Sequence, residues 1–499
     1  MKKALVLVTI AFLLLGSVVF ADNGVVENSY LVMFKAKPGA SDRAAVKALG
    51  GSVNSEYSIV NGMSVTLPNA NAVNGIKNNP NVLYVEEDQI YSIAADTQPY
   101  GIGAVNADLV WGQTTGAGVK VGVLDTGIDY NHPDLDDLYV GGYDYINNDS
   151  DPWDDHYHGT HVAGTIAAEM NGSGVVGCAY DVDLYALKVL DAEGYGSTTA
   201  ILNGVDWAVQ NGLDVVNLSL GGGRKSKFEE NAYQAAFDAG LLVIVASGND
   251  SATQIGYPAK YDACVAVGAV DASLTIADFS NTGAEQEVVA PGVLVYSSFP
   301  MGTGVNSSAT VGSTTYPGIG MEFAGTTSGI TGTAYDCALG ETAGDFPAGV
   351  SGNIALISRG NISFADKVTN AMNAGAVAAI IYNNLPGGFA GTLGVEGSWI
   401  PAISMSMEDG QAIAAQTPVS MTLVNEPGDF NYLDGTSMAC PHAVGVAALI
   451  FAANPSLTNQ DVRDILSNTA TDLGAAGWDS IYGNGIVDAQ AAVNAALGM

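Results

Sequence analysis

The sequence predicts an α/β protein. Its centre is a parallel sheet with helices on both faces, preceded by a small α+β unit and interrupted late by a β-rich insert. Three observations carry this expectation. Short β-branched runs alternate with helical patterns from Val119 to Phe299. That alternation stops, a stretch rich in Gly, Thr and Ser follows over 301–427, and the core pattern resumes at Asp434. Upstream, residues 28–94 hold two strand-like runs and two helical segments of their own. Short apolar strands separated by helices are the mark of a parallel sheet buried on both faces. A chain of 499 residues has room for two or three domains.

Taken in order, Met1-Lys-Lys3 precedes an apolar run from Ala4 to Phe20 that ends in Val19-Phe-Ala21. A charged start, a short apolar segment and a small-residue site read as a secretory signal over 1–21. The run is short for a transmembrane anchor, and Gly16-Ser17 breaks it before the site. Strand patterns follow at Tyr30–Phe34 and 81–88, with helical ones at 42–50 and 70–79. The α/β part, 95–300 and 428–499, offers apolar strands at Val119–Leu124, Leu184–Leu190, Val215–Leu220, Leu241–Ala246 and Cys264–Val270. Helices are expected at 158–170, 197–211, 227–239 and about 437–453. In the insert, strands are expected at Ile354–Ser358 and Ala378–Tyr382, with a helix at 365–374. No later stretch reads as a membrane span.

Composition narrows the function. Hydrophobic residues are 48% and charged residues 13%, which excludes a disordered chain. The net charge of −35 repels phosphate, and no local basic patch offsets it, so nucleic acid is excluded as a partner. Acidic side chains in such number suit hard cations. Four cysteines are too few for a disulfide scaffold.

Three motifs carry chemistry. Asp125 ends the strand Gly118-Val-Lys-Val-Gly-Val-Leu-Asp125. His158 opens the helix His158-Gly-Thr-His-Val-Ala-Gly-Thr165, and Ser437 opens another in Gly435-Thr-Ser-Met-Ala-Cys-Pro-His442. Strand C-termini and helix N-termini are where an open parallel sheet gathers reactive groups. A carboxylate, an imidazole and a hydroxyl at that address can form a Ser-His-Asp triad. Singly, each has a plainer reading as a cap or turn residue. All five histidines, at 132, 156, 158, 161 and 442, nevertheless fall in or beside these motifs. A zinc site on His158 and His161 is disfavoured, because the sequence lacks the His-Glu-x-x-His helix of zinc proteases.

In the order Asp, His, Ser and in the text of its motifs, the chain resembles the subtilisin-like serine proteases. The resemblance spans about 95–300 and 430–499. It extends to Val216-Asn-Leu-Ser-Leu-Gly-Gly222, Ala246-Ser-Gly-Asn249, Tyr257-Pro-Ala-Lys-Tyr261, Phe279-Ser-Asn-Thr-Gly283 and Ala290-Pro-Gly292. It implies a secreted endopeptidase acting on protein or peptide substrates, with Asp125, His158 and Ser437 as triad. Asn249 and the Ser437 N–H would be the oxyanion donors. Gly194 to Gly196, and Ser219, Leu220 and Gly221, would flank an extended substrate, with Gly256 at the pocket base.

The resemblance implies more. Residues 28–94 would be an inhibitory propeptide, cut between Ala94 and Ala95 and acting as an intramolecular partner; a permanent N-terminal domain is the other reading. Structural Ca²⁺ would be held by the side chains of Asp96, Asp134 and Asn171 and by carbonyls of Glu169, Ser173 and Val175. The alternative is ordinary solvated loop acids. The insert resembles a protease-associated domain through Gly352-Asn-Ile-Ala-Leu-Ile-Ser-Arg-Gly360 and Ala374–Asn384. Ile362 stands where relatives place a cysteine, so Cys337 lacks its usual partner. A spacer and a substrate-selecting rim are equally open roles for it. On the same motifs, a transpeptidase and an inert binding protein are the rival functions, and no sequence feature favours either.

Overall fold

The computed structural model describes residues 25–89 and 96–499. The expected signal segment and the Ala94–Ala95 junction lie outside the described residues. Contacts divide the chain into two units. One holds the described residues up to 89 together with 312–315, and the other holds 96–311 and 316–499.

In the first unit, β1 (Val25–Phe34), β2 (Ser52–Glu56), β3 (Gly62–Thr66) and β4 (Val82–Gln89) form an antiparallel sheet in the order β2-β3-β1-β4. Helices α1 (Ala40–Ala48) and α2 (Ala70–Lys77) belong to this unit, and α2 is capped by the Asn69 side chain on the Ala72 N–H. Val46, Val73 and Ile76 meet Val32, Phe34, Met63 and Val65 in one core.

In the second unit, a short helix α3 (Tyr100–Ala104) leads to a seven-stranded parallel sheet. Its strands are β5 (Lys120–Asp125), β6 (Tyr139–Asp144), β7 (Asp183–Lys188), β8 (Val215–Leu218), β9 (Leu242–Ala246), β10 (Cys264–Val270) and β11 (Val288–Pro291). The order is β11-β10-β9-β8-β5-β7-β6. The chain therefore reverses direction about β5, which lies between β7 and β8. A ligand crevice is expected at the carboxyl ends of the strands at such a reversal.

Alternate residues of each strand feed two cores. Val121, Val123, Val215, Leu242, Ile244, Val265 and Val267 pack with α4 (His158–Ala167), α9 (Thr436–Ala453), α10 (Asn459–Asn468) and α11 (Ala489–Leu497). Leu124, Val216, Val243, Val245 and Ala266 pack with α5 (Thr198–Gln210) and α6 (Lys227–Asp238). Ser197 and Ser226 cap those two helices through the Ala200 and Glu229 N–H groups. This is the doubly covered sheet expected from the sequence. Among the described residues α9 is long and apolar enough to cross a membrane, a feature the sequence reading passed over. It is the central core helix, which is why it is apolar all round.

The insert leaves and returns through a two-stranded ribbon, β12 (Val295–Ser298) against β21 (Phe430–Leu433), with Ser298 opposite Phe430. Its strands are β13 (Gly304–Val311), β14 (Thr314–Pro317), β15 (Ile319–Gly320), β16 (Thr327–Asp336), β17 (Ile354–Ser358), β18 (Ala378–Tyr382), β19 (Ala402–Met405) and β20 (Val419–Gly428). Strands β13, β20, β16, β17, β18, β19 and β15 lie side by side in that order. The parallel trio β17-β18-β19 carries α7 (Phe364–Asn373) and α8 (Met407–Ala414), whose buried residues join separate cores. All four cysteines are buried and unbridged. Burial pushes the Cys337 thiol up to about 12, so it is protonated and inert.

Candidate active site

The carboxyl end of β5 delivers Asp125 into a fully buried position. Its Oδ1 meets His158 Nδ1 at 2.7 Å and also accepts the Thr126 N–H at 2.8 Å. His158 is the first residue of α4. Gly159 has no room for a side chain, since a Cβ there would lie 2.0 Å from the Gly127 carbonyl oxygen. Close backbone approach thus brings the helix start against the strand end.

A second layer fixes this junction. The buried Asp154 carboxylate accepts from Thr126 Oγ1, Thr160 Oγ1, the Thr160 N–H and the His156 N–H. Lys188, at the end of β7 and 1% exposed, sends its Nζ to the Thr126 carbonyl and to Asp155, both at 2.5 Å.

The histidines differ in their hold on a proton. Burial pulls the His158 imidazole down, but the Asp125 charge, the hydrogen bond to Asp125 and the Asp154 charge outweigh it, so its pKa stands above the ordinary value. Burial pushes His161 down to about 3 and His442 to about 4, which keeps both neutral. His161 Nε2 lies 2.9 Å from the Val295 carbonyl, and His442 Nδ1 lies 2.8 Å from the Met438 carbonyl. His158 is alone among these three in pairing with a carboxylate, the arrangement a general base needs.

Ser437 is the second residue of α9, following Gly435, whose φ of +155° favours glycine. Its Oγ donates to the Ser219 carbonyl at 3.2 Å, and no hydrogen bond joins it to His158. Such contacts often tighten only when substrate binds. Pro441 lies four residues on, inside the helix. It has no N–H for the Ser437 carbonyl, and its ring disfavours a regular turn there. The Ser219 hydroxyl fills the gap, donating to the Ser437 carbonyl at 2.7 Å, and itself accepts from Asn217 Nδ2 at 2.9 Å. As a first-turn residue Ser437 keeps its own N–H outside the helical ladder, and among the described residues no acceptor meets it.

Asn249 follows β9 and Gly248, whose φ is +110°. Its Oδ1 accepts from the Thr436 N–H at 2.9 Å and from Thr436 Oγ1 at 2.8 Å. Because the backbone N–H can only donate, Oδ1 is pinned and Nδ2 remains free to donate. Two donors, Nδ2 and the Ser437 N–H, thus flank the same helix start. Sequence reasoning singled out Asn249 but missed Thr436, Pro441, Asp154 and Lys188. Pro441 inside a helical pattern was the one visible signal among them.

The expected substrate-flanking segments both lie outside the sheet; Gly194 and Tyr195 turn back on Asp191 through their N–H groups, and Ser219 is buried. Gly194, with φ +79°, and Gly196 lie in a loop outside any strand. A side chain at Gly196 would meet the Val189 carbonyl at 2.1 Å. Ser219, Leu220 and Gly221 continue beyond β8, where the Gly222 N–H reaches the Tyr257 carbonyl at 3.2 Å. A Cβ on Gly256 would meet only the Ser247 carbonyl, at 3.4 Å, so the space before it is open.

The expected calcium residues form a separate loop cluster. Asp96 Oδ1 accepts the Asn171 and Gly172 N–H groups at 3.1 and 3.0 Å. The buried Asp134 accepts the Val175 N–H at 2.9 Å, and its backbone carbonyl accepts the Glu169 N–H at 2.9 Å. Asn171 Nδ2 holds the Pro133 carbonyl at 2.8 Å, while its Oδ1 receives the Ser173 N–H at 3.0 Å.

Comparison with known proteins settles the family. Residues 116–336 match the model described as the subtilase family, and 324–413 match the PA domain. Subtilisin E of Bacillus subtilis is 42% identical over 287 residues, covering 56% of this chain and 74% of its own. The chain belongs to the subtilase family. It is a subtilisin-like serine peptidase, and the M-protease of Shouchella clausii is 33% identical to this subtilase over 421 residues, 84% of this chain and 76% of its own. The crystal structure of the psychrophilic subtilisin-like protease Apa1 from an Antarctic Pseudoalteromonas superposes on this subtilase with a TM-score of 0.69 at 30% identity. That match covers 81% of this chain and 99% of the other.

Proposed function

We propose that this subtilase is a secreted endopeptidase that works through an acyl-enzyme, with Asp125, His158 and Ser437 as its triad. The observation that carries the reading is the 2.7 Å contact between Asp125 Oδ1 and His158 Nδ1, which fixes the ring so that Nε2 is the basic atom. Nε2 takes the Ser437 proton as Oγ turns from the Ser219 carbonyl and attacks the substrate carbonyl. Asn249 Nδ2 and the Ser437 N–H then receive the developing oxyanion. The imidazolium, stabilised by Asp125, returns its proton to the leaving amine. Water repeats the sequence to release the acyl group. Substrate pairs as an added strand with 194–196 and 219–221, and the open space before Gly256 takes a large apolar side chain.

The same reading makes 1–21 a signal, 28–94 a self-cleaved inhibitory propeptide and 301–427 an inserted protease-associated domain. Ca²⁺ fits the loop cluster. Asp134 is 1% exposed, makes no ion pair among the described residues, and has burial, with the Asp96 charge adding, holding its pKa up. A hard cation is what such a group of oxygens accommodates. Asp96, Asp134 and Asn171, with carbonyls of 169–175, would hold the ion, which supplies loop rigidity and no chemistry.

Ser437→Ala tests the assignment. It should abolish hydrolysis of casein and chromogenic peptides and leave the precursor uncut at Ala94–Ala95, with an unchanged far-UV spectrum. Turnover by pure Ser437→Ala protein would overturn it.

A further inference from the structure

We propose that the cleft between the insert and the His158 side of the core is a substrate subsite selective for a basic side chain. This deepens, and rests on, the peptidase reading above. The cleft has a volume of about 620 Å³, within the usual range for a ligand site. One wall belongs to the core. Tyr157, the residue before His158, stacks on His156 at 4.0 Å between centroids and on Phe299 at 5.0 Å, with an interplanar angle of 10° to the latter. Tyr157 is still 36% exposed. The cleft is thus bordered by the residue that precedes His158 in the chain.

The other wall belongs to the insert and carries charge. Glu322 is tied by its backbone on both sides, its N–H to the Gly391 carbonyl at 2.9 Å and its carbonyl to the Leu393 N–H at 3.1 Å. Its carboxylate accepts no hydrogen bond and joins no ion pair among the described residues, and the same holds for Glu426, which lines the same cleft. Among the described residues no lysine, arginine or histidine lines the cleft. Phe323 follows Glu322 with φ +67°, a conformation that aromatic residues rarely adopt and that concentrates at functional positions. It is 39% exposed. The field of Glu322 reaches the Tyr157 hydroxyl, where it adds to burial in raising that pKa.

Two unpaired carboxylates lining one cleft with aromatic rings complement one kind of side chain, a long cation with an apolar stem. Lysine or arginine lays its methylenes along Tyr157 and Phe299, and its charge meets Glu322 and Glu426. The occupant is therefore a peptide segment bearing a basic residue at a position away from the scissile bond.

The test uses mature enzyme and two matched fluorogenic peptide sets, one placing lysine and the other norleucine at each position in turn. At one position lysine should raise kcat/KM about three- to tenfold, mostly through KM, as expected of a partly solvated ion pair beside an aromatic face. The preference should shrink in 1 M salt and vanish in the Glu322→Gln, Glu426→Gln double variant, with norleucine peptides cleaved as before. A second measurement uses labelled peptides binding to the Ser437→Ala protein by fluorescence anisotropy, and should show the same preference without hydrolysis. Hydrolysis with no basic preference at any position, or a preference that survives the double variant, overturns the subsite. Selective binding by Ser437→Ala protein whose parent fails to hydrolyse would uphold the subsite and overturn the peptidase reading.

Discussion

The start of α9 and the mouth of the insert cleft are built in opposite ways. At Ser437 the groups that aim the two free donors are held by neighbours that the fold cannot easily move. Thr436 pins the Asn249 amide, and Ser219 replaces the donor that Pro441 lacks. At the cleft, Glu322 and Glu426 are fixed in backbone but unpartnered in side chain. Reaction chemistry needs donors set in advance, because reorganising them during the reaction adds to the barrier. Selection among substrates needs groups left unsatisfied until the right partner arrives. Changes at the first region should therefore lower turnover for all peptides, and changes at the second should alter the ranking of peptides.

The largest effect expected within that comparison is Asn249→Ala. It should lower kcat by ~10²–10³ with little change in KM, the loss known for the oxyanion asparagine of subtilisin itself and carried over to this relative. Steady-state kinetics on one chromogenic peptide decide it, and a loss below about fivefold would assign the oxyanion to another group. Next is Ser219→Ala, which leaves the Ser437 carbonyl without its donor and should destabilise by about 1–3 kcal/mol. Pro441→Ala supplies an N–H to the same carbonyl, so in the double variant part of that loss should return. Purely additive melting shifts across the four proteins would contradict the compensation.

Acidification should act first on the first region. His158 must be neutral to accept the serine proton, and its pKa stands above the ordinary 6.5. Activity should therefore already be falling as pH drops through a value above 6.5, for basic and neutral peptides alike. His161 and His442 have folded pKa values near 3 and 4, below the unfolded value of about 6.5. Their contribution to stability is full above pH 6.5 and is lost as pH falls toward those values. Melting temperature should thus decline at lower pH than activity does. Coincident profiles would refute the separation. Chelation should leave initial turnover unchanged while lowering the melting temperature, since a ligand at 100 times its Kd adds about 2.7 kcal/mol. The smallest effect is Thr436→Val. It removes one of two donors to Asn249 Oδ1 and should lower kcat a few-fold, as one net hydrogen bond of about 1 kcal/mol implies.

How far the sequence could be read follows from the same physics. Strands buried on both faces announce themselves as apolar runs. Accordingly β10 matches its expected bounds, and β5, β7 and β9 fall within one or two residues of theirs. Strand β6 escaped because it is a partly exposed edge strand, Tyr139-Val-Gly-Gly-Tyr-Asp144, with glycine where a Cβ would strike the Ala186 carbonyl. In the insert, β13, β16 and β20 are rich in Thr, Ser and Asn and mostly half-buried, so they show no run to detect. Asp125, His158, Ser437 and Asn249, the proposed catalytic set, were picked out by their motifs. Thr436, Lys188 and Asp154 were not, because each acts through a contact that exists only once distant segments meet. Glu322 and Glu426 lie 104 residues apart, and only the fold puts them on one cleft.

The central claim is that Ser437 is the nucleophile made reactive by His158 and Asp125. Labelling the mature enzyme with a fluorophosphonate and mapping the adduct by mass spectrometry tests it most directly. A single adduct on the peptide containing Ser437, absent from Ser437→Ala and His158→Ala proteins of unchanged fold, is the predicted result. No adduct on active enzyme, or an adduct on another residue, would contradict it.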